Sequence, residues 1–490
     1  MKPSLRPTFR IVGTVLMAVA ITMVPVFAVA LICGELREGL IFIILAAVVF
    51  FLGYFMRRKC RRRRNRNELI HIADGLLIVV LSWIIVSIIG AIPYMLIGAV
   101  ENPIDAFFES CSGFTTTGAT ALTSINHLPR CLLFWRSMTC WAGGIGILLL
   151  GIALMPALGL NAQRLTVVDS HGPTLDALTP KMIASVRVIT LVYLVMTIVE
   201  TILLTLGGMT LFNGLLHSMS TVSTGGFSRY DQSIGHFDST YIRTVILCFM
   251  ILSGVNFELY VRAVRGGLRA FAGNTELKLY GFFIVLGSMA ITTFLLLNDT
   301  YSSTTVTVSN ALFQTVSVIT TTGFTTTYYM FWPVVCHMIL VLLMFMGACS
   351  SSPGGGIKLV RVAVILKLIR HGLSMRLHPR FFETVMLNKQ GLPGDKVSGA
   401  VTIPFLYLTA LFAGVFLLTM MNNPLPESFS AGLSCLTNTG AGFGGAGSGS
   451  IYTIFDGPSK LILSILMIGG RLELYALLVL IIPKYWTKDY

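Results

Sequence analysis

Four stretches of this chain are suited to holding a cation with uncharged oxygen. Asp105–Thr120 reads DAFFESCSGFTTTGAT, Asn213–Ser228 reads NGLLHSMSTVSTGGFS, Asn310–Thr325 reads NALFQTVSVITTTGFT, and Glu427–Gly442 reads ESFSAGLSCLTNTGAG. Aligned on their first residues, they match without a gap. Ser stands seven positions on in each (Ser112, Ser220, Ser317, Ser434), and Gly thirteen positions on (Gly118, Gly226, Gly323, Gly440). Four such matches in one chain indicate a fourfold repeat. Gly accepts a positive φ, so successive carbonyls can turn toward one axis. Rings of backbone carbonyls can replace the hydration shell of a desolvated ion. Asn438-Thr-Gly-Ala-Gly442 is close to the TVGYG pattern of such rings. Thr116–Thr120, Thr224–Ser228 and Thr321–Thr325 are looser matches. The alternative is four structural turns that never touch an ion.

A second group is Gly347-Ala-Cys-Ser-Ser-Ser-Pro-Gly-Gly-Gly-Ile-Lys358, which interrupts an apolar segment. Small residues and Pro353 cannot continue a helix. GGGIK lacks the GxxxxGK[ST] spacing of a phosphate loop and follows an apolar helix, not a strand. A flexible break there could lie across a path for ions. Lys358 could equally be an interface anchor. Arg471, in Gly469-Gly-Arg-Leu-Glu473, is an ionisable residue inside an apolar run. Such residues face a partner or a water-filled path. Its options are a salt bridge with Glu473 or Glu258, or a positive barrier to cations.

The elements that position these residues are membrane helices. Of 490 residues, 54% are hydrophobic and 11% charged, against about 25% charged in a soluble domain. A spanning helix needs about 20 apolar residues. Ile11–Cys33 and Leu40–Phe55 supply a pair, and no cleavage pattern follows the first, so it is expected to be retained. Four units follow, each an apolar helix, one of the short elements, and a second apolar helix. The first has Gly75–Val100 and Leu132–Leu158, the second Ser185–Gly207 and Tyr241–Val264, the third Leu277–Leu297 and Pro333–Leu368, the fourth Val401–Met421 and Leu461–Tyr485. The boundaries are an N-terminal hairpin with a basic loop (1–68), then repeats at 69–165, 166–272, 273–390 and 391–490. The fold class is an all-α polytopic membrane protein, with two N-terminal helices and four helix–loop–helix repeats arranged pseudo-fourfold around one pore. Asp105, Asn213, Asn310 and Glu427 are plausible caps or first-turn residues of the short helices.

The net charge is +14. The basic residues cluster in Arg57–Arg66 and between units, as at Arg164, Arg269, Arg370 and Arg380, while the segments flanking the short elements carry Glu101, Asp231, Asp299 and Asp456. The positive-inside rule then makes both termini cytoplasmic and opens the short elements outward. This charge sets topology and contacts anionic lipid; it does not mark a nucleic-acid surface. The nine Cys show no CxxC, and no HExxH, GxSxG or paired carboxylates appear in the apolar spans. Gly445-Ala-Gly-Ser-Gly449 has the wrong spacing for a nucleophile elbow. The chain is not expected to be an enzyme or to bind an organic cofactor.

Over essentially its whole length the chain resembles the TrkH-type membrane subunits of bacterial potassium uptake systems, in the superfamily that includes KtrB and plant HKT transporters. The resemblance implies that each unit is like one subunit of a simple potassium channel. It implies a K+ filter of Thr116-Thr117-Gly118, Thr224-Gly225-Gly226, Thr321-Thr322-Gly323 and Asn438-Thr439-Gly440. In HKT relatives, Ser at the first filter Gly goes with sodium permeation; Gly118 resembles the potassium-selective members. Residues 347–358 resemble the intramembrane gating loop, usually GGCxGSTGGGxK, with Gly347, Gly354, Gly355, Gly356 and Lys358 in matching places. Ala348 replaces a Gly, and Ser352-Pro353 replaces Ser-Thr. The family's corresponding Arg favours the barrier role for Arg471. A homodimer in the bacterial inner membrane is implied, bound to a ring of TrkA-type subunits that sense adenine nucleotides. Passive uptake, and transport of potassium or sodium coupled to H+ or Na+, both remain open.

Overall fold

Inside a bilayer every backbone N–H and C=O needs an internal partner, and a helix supplies one for each. The computed structural model describes residues 5–60, 72–154, 180–267, 271, 273–377, 386–387, 390–392, 394–443 and 452–481. Basic residues 61–66, Arg164, Arg269 and Arg380, the Gly445–Gly449 stretch, and the expected helix ends Leu158 and Tyr485 lie outside the described residues. Helices α1 (Leu5–Cys33) and α2 (Leu36–Lys59) pack as a pair. A Cβ on Gly13 would overlap the carbonyl of Gly53, and the reverse holds, so the two backbones meet at a small-residue contact.

The first unit comprises α3 (Ile72–Leu96), the short α4 (Pro103–Phe114) and α5 (Arg130–Leu154). The second has α6 (Pro180–Leu206), the short α7 (Leu211–Val222), then α8 (Thr240–Gly254) and α9 (Phe257–Gly266). The third has α10 (Thr275–Leu297), the short α11 (Thr304–Ile319), then α12 (Val334–Phe345) and α13 (Leu359–Leu377). The fourth has α14 (Gly394–Met420), the short α15 (Leu425–Leu436), then α16 (Gly457–Arg471) and α17 (Tyr475–Ile481). Each short helix packs on the first helix of its own unit. Among the described residues, seven helices are long and apolar enough to cross a membrane, and the bent α8–α9 pair makes eight. The chain is a helical membrane protein. One short antiparallel pairing, Met386↔Gly391 and Leu387↔Gln390, departs from the all-helical expectation.

Two second helices also depart from it. Tyr241–Val264 reads as one span but bends by 86° between α8 and α9. The carbonyls freed at the end of α8 find other donors: Tyr280 Oη for Ile251 at 3.2 Å, Tyr260 Oη for Leu252 at 2.8 Å, and Cys349 N for Gly254 at 3.1 Å. Asn256 then starts α9 by accepting from Glu258 N at 2.8 Å. Leu461–Tyr485 reads as one span but α16 ends at Arg471. There Glu473 and Leu474 take φ of 55° and 63°, and Tyr407 Oη caps Gly470 O at 2.9 Å. A hydropathy pattern does not register such breaks, because tertiary donors satisfy the backbone.

The expectation of caps or first-turn residues holds for three of the four and fails for Asn310. The N-caps are Asn102, Thr210, Ser303 and Pro424. Asp105, Asn213 and Glu427 fall within the first turn, and Asn310 lies deeper because α11 begins six residues earlier, at Thr304. Their side chains tie units and loops together instead: Asp105 pairs with Lys460 at 2.7 Å, Asn213 accepts from Arg229 at 2.6 Å, and Asn310 accepts from Thr326 at 3.0 Å.

Asn256 caps α9 and also donates to Ser350 Oγ at 3.1 Å. Asn256→Ala should therefore destabilise the detergent-solubilised protein by about 1–2 kcal/mol. Thermal unfolding followed by tryptophan fluorescence checks this, and an unchanged midpoint would show that the bend does not depend on the cap.

Candidate functional site

The four short helices end in register. Their C-caps are Thr115, Ser223, Thr320 and Thr437. The next residue in each, Thr116, Thr224, Thr321 or Asn438, is left-handed, with φ between 52° and 56°. Its N–H reaches back to the carbonyl of Gly113, Thr221, Val318 or Cys435, and the following N–H reaches the repeated Ser (Ser112, Ser220, Ser317, Ser434) at 2.8–2.9 Å. This is the Schellman arrangement, normally closed by Gly. A β-branched residue at positive φ is an outlier and costs about 1–3 kcal/mol. Strain of this kind persists where the surroundings over-determine it, typically at functional sites. Two residues on, Gly118, Gly226, Gly323 and Gly440 are left-handed again, with φ of 66–81°.

Contacts between the segments run in a closed circuit. A Cβ on Gly118 would overlap the carbonyl oxygen of Gly225; on Gly226, that of Thr322; on Gly323, that of Thr439; on Gly440, that of Thr117. Each repeated Gly therefore abuts the same position of the next unit, and the fourth unit abuts the first. All twelve residues Thr116–Gly118, Thr224–Gly226, Thr321–Gly323 and Asn438–Gly440 come together around this circuit.

The four quarters differ in their side chains. Hydroxyl pairs Thr115–Thr117, Thr320–Thr322 and Thr437–Thr439 lie at 2.7, 2.8 and 2.9 Å. The second quarter has Gly225 instead, and Ser223 Oγ turns to Ser220 O at 3.2 Å. Asn438 Nδ2 donates to Thr117 Oγ1 at 3.0 Å and to Met467 O at 2.9 Å.

The segment between α12 and α13 lies directly against this circuit. Gly355 N donates to Thr321 Oγ1 at 2.7 Å. A Cβ on Gly355 would overlap Thr437 O, and one on Gly347 would overlap Gly355 O. Gly354 packs near Thr320 O, and Gly356 is left-handed at φ 67°. Ser351 is left-handed as well, at φ 52°. Cys349 N and Ser351 O bond the backbone at the α8–α9 bend, at 3.1 Å each. The loop is thus wedged between the Thr/Gly circuit and that bend.

Charged groups hold the loop from three sides. Arg471, 4% exposed, donates through Nη1 to Pro353 O. It does not pair with Glu473 or Glu258. Glu473 takes Arg361, and Glu258 sits 3.8 Å from Arg262. Lys358 Nζ turns back onto the loop, to Gly354 O and to Ser352 O at 3.3 Å. The buried Glu276 accepts from Ser350 N, from Ser350 Oγ at 2.8 Å and from Val360 N at 3.1 Å. Sequence reasoning missed Glu276 and a buried Arg136–Glu109 pair. A charge beside or within an apolar span was the available signal.

Residues 40–488 match the family model of TrkH, a cation transport protein. This chain belongs to the TrkH family. It is a transport protein and not an enzyme. Among its relatives, the Trk system potassium uptake protein TrkH of Vibrio parahaemolyticus serotype O3:K6 is 34% identical, covering 99% of each chain. The TrkH of Escherichia coli K12 is 34% identical over 87% of this chain and 88% of the relative. The crystal structure of the potassium transporter TrkH from Vibrio parahaemolyticus superposes with a TM-score of 0.90 at 31% identity, covering 99% of this chain and 100% of that one.

Cys349 is fully buried within the loop and reports on its seat. With Cys33, Cys60 and Cys248 replaced by Ser, a membrane-permeant maleimide should leave the protein unlabelled. Gly355→Ala, whose Cβ collides with Thr437 O, should expose Cys349 and raise labelling about tenfold or more. The rate of maleimide incorporation measures it.

Proposed function

We propose that this chain carries potassium into a bacterial cell across the inner membrane, through a channel-like pore whose selectivity filter is assembled from four segments of one chain. The observation that carries this reading is the closed circuit in which Gly118, Gly226, Gly323 and Gly440 each abut a carbonyl of the next unit. Four re-entrant helices that end at one locus aim their partly negative C-termini there, and carbonyls facing one axis would stand in for the hydration shell. The twelve filter residues of the four triplets are the K+ ligands in this reading. Potassium is the cargo, with no organic cofactor. The relatives' names, Trk system potassium uptake proteins, support the choice of ion.

The loop 347–358 serves as the gate. It lies against Thr321 and Thr437, and Arg471 clasps it at Pro353. Seated there, it obstructs the path while the guanidinium repels cations. Opening moves Gly347, Gly354, Gly355, Gly356 and Lys358 away from the filter. We assign both termini to the cytoplasm, a homodimer as the working form, anionic lipid as a contact of the basic N-terminal loop, and a TrkA-type nucleotide-binding ring as the cytosolic regulator, docking on the basic segments near 361–396. An ion-coupled mechanism is the second reading. Glu200, buried in α6 without an ion-pair partner among the described residues, is the carboxyl that would serve it. Potassium flux driven by an imposed proton or sodium gradient would select that reading.

In proteoliposomes the protein should pass potassium in preference to sodium. Gly323→Ser places a side chain on the Thr439 carbonyl at φ 80° and should lower potassium flux at least about tenfold. Arg471→Gln should raise basal flux in the absence of the regulator. Equal potassium and sodium flux in the unaltered protein would refute the selectivity claim.

A further inference from the structure

Two residues beyond each repeated Gly, the chain leaves the circuit at Thr120, Ser228, Thr325 and Gly442. The carbonyl oxygen at every one of these positions accepts a hydrogen bond from another unit. Tyr452 N of the fourth unit donates to Thr120 O at 2.9 Å, and Gly235 N of the second to Thr325 O at 3.1 Å. Arg136 Nη1 of the first donates to Ser228 O at 3.1 Å, and Tyr329 Oη of the third to Gly442 O at 2.6 Å. The donors run fourth to first, first to second, second to third and third to fourth. They form a collar that closes in one rotational sense.

Three of these donors are neutral, and the remaining one is a guanidinium. Arg136 is 2% exposed and its counter-charge, Glu109, is fully buried. Arg136 Nε meets Glu109 Oε1 at 2.8 Å. Glu109 Oε2 accepts from Thr120 Oγ1 at 3.0 Å and from Ala121 N at 2.9 Å. The guanidinium also stacks 4.1 Å from the centre of the Phe227 ring. The pair thus grips the exit of the first quarter at Thr120–Ala121 and the exit of the second at Phe227–Ser228. At the position of Glu109 the other units have His217, Gln314 and Ala431, so among the described residues a carboxylate–guanidinium pair bonded to the collar stands at the first-to-second joint alone. A guanidinium fork bonded at both ends holds its partners at fixed spacing, which a single ammonium does not.

We infer that the Arg136–Glu109 pair is a positioning element that fixes the span of this collar and thereby sets discrimination between potassium and the smaller sodium ion. This rests on the carbonyl-filter reading above. Neither side chain is one of the filter residues. Loosening the pair should let the ring contract around sodium while leaving potassium passage in place.

The test compares potassium and sodium flux in proteoliposomes for the full-length protein, the Glu109→Gln/Arg136→Gln double variant, Arg136→Lys and Tyr329→Phe. The double variant leaves no uncompensated buried charge. It should elute as monodisperse protein and keep its potassium flux within about twofold, while its potassium-to-sodium ratio falls about tenfold. Arg136→Lys should fall by less. Tyr329→Phe opens the same collar at a neutral joint and should lower the ratio about threefold, which supplies a result even where the charged variants fail to fold. An unchanged ratio in a folded double variant, an unchanged ratio in Tyr329→Phe, or a parallel fall of both fluxes overturns the inference. Equal flux of the two ions in the unaltered protein overturns the filter reading beneath it, a distinguishable failure.

Discussion

A carbonyl oxygen occupies the place where a Cβ would stand, four times over, and the architecture follows from that exclusion. Gly118, Gly226, Gly323 and Gly440 are glycine for two separate reasons, the left-handed φ and the neighbouring carbonyl. Either alone penalises a side chain, and together they penalise it more. The strained Thr or Asn two residues earlier is held because its N–H and the next are both bonded to the end of a short helix. That helix is in turn held by the first helix of its unit. Strain at the centre is borne by packing at the periphery.

Much of this was visible in the residues. The gapless register of four stretches located the short helices, and all four end at the same aligned residue. The repeated Ser was legible as a repeat but not as a device: it is the Ser carbonyl, not its hydroxyl, that every unit uses to bond the turn. The bend at Val255 and the break after Arg471 were not legible. Both lie in apolar runs of ordinary spanning length, and what permits them is donors far away in sequence, Tyr280 at one and Tyr407 at the other. Of the four residues read as caps or first-turn residues only Asn310 falls elsewhere, because α11 starts at Thr304, ahead of the aligned stretch. Asp105, Asn213 and Asn310 have the right chemistry to cap, yet Lys460, Arg229 and Thr326 are brought to them by the fold. Arg471 was singled out correctly as an unusual charge, but its partner is a backbone carbonyl, which no search for an acidic residue would find.

The loop between α12 and α13 is held by neutral and charge-assisted hydrogen bonds from several units. Its contacts come from the second unit (Asn256, Gly254), its own unit (Glu276, Thr321) and the fourth (Arg471). A segment so held can exchange partners one at a time. Pro353 contributes no backbone donor, so its hold on Arg471 is through its carbonyl alone.

The circuit of carbonyls has a direction as well as a shape. The first unit's Gly118 is completed by the second, and its Thr117 carbonyl by Gly440 of the fourth. Asn438, Lys460 and Tyr452 make their bonds to Thr117, Asp105 and Thr120 across more than three hundred residues of chain. Without the fourth unit, the first quarter's turn lacks these partners on one side. The ring closes only when the fourth unit is present, because Gly440 and Thr117 complete the circuit.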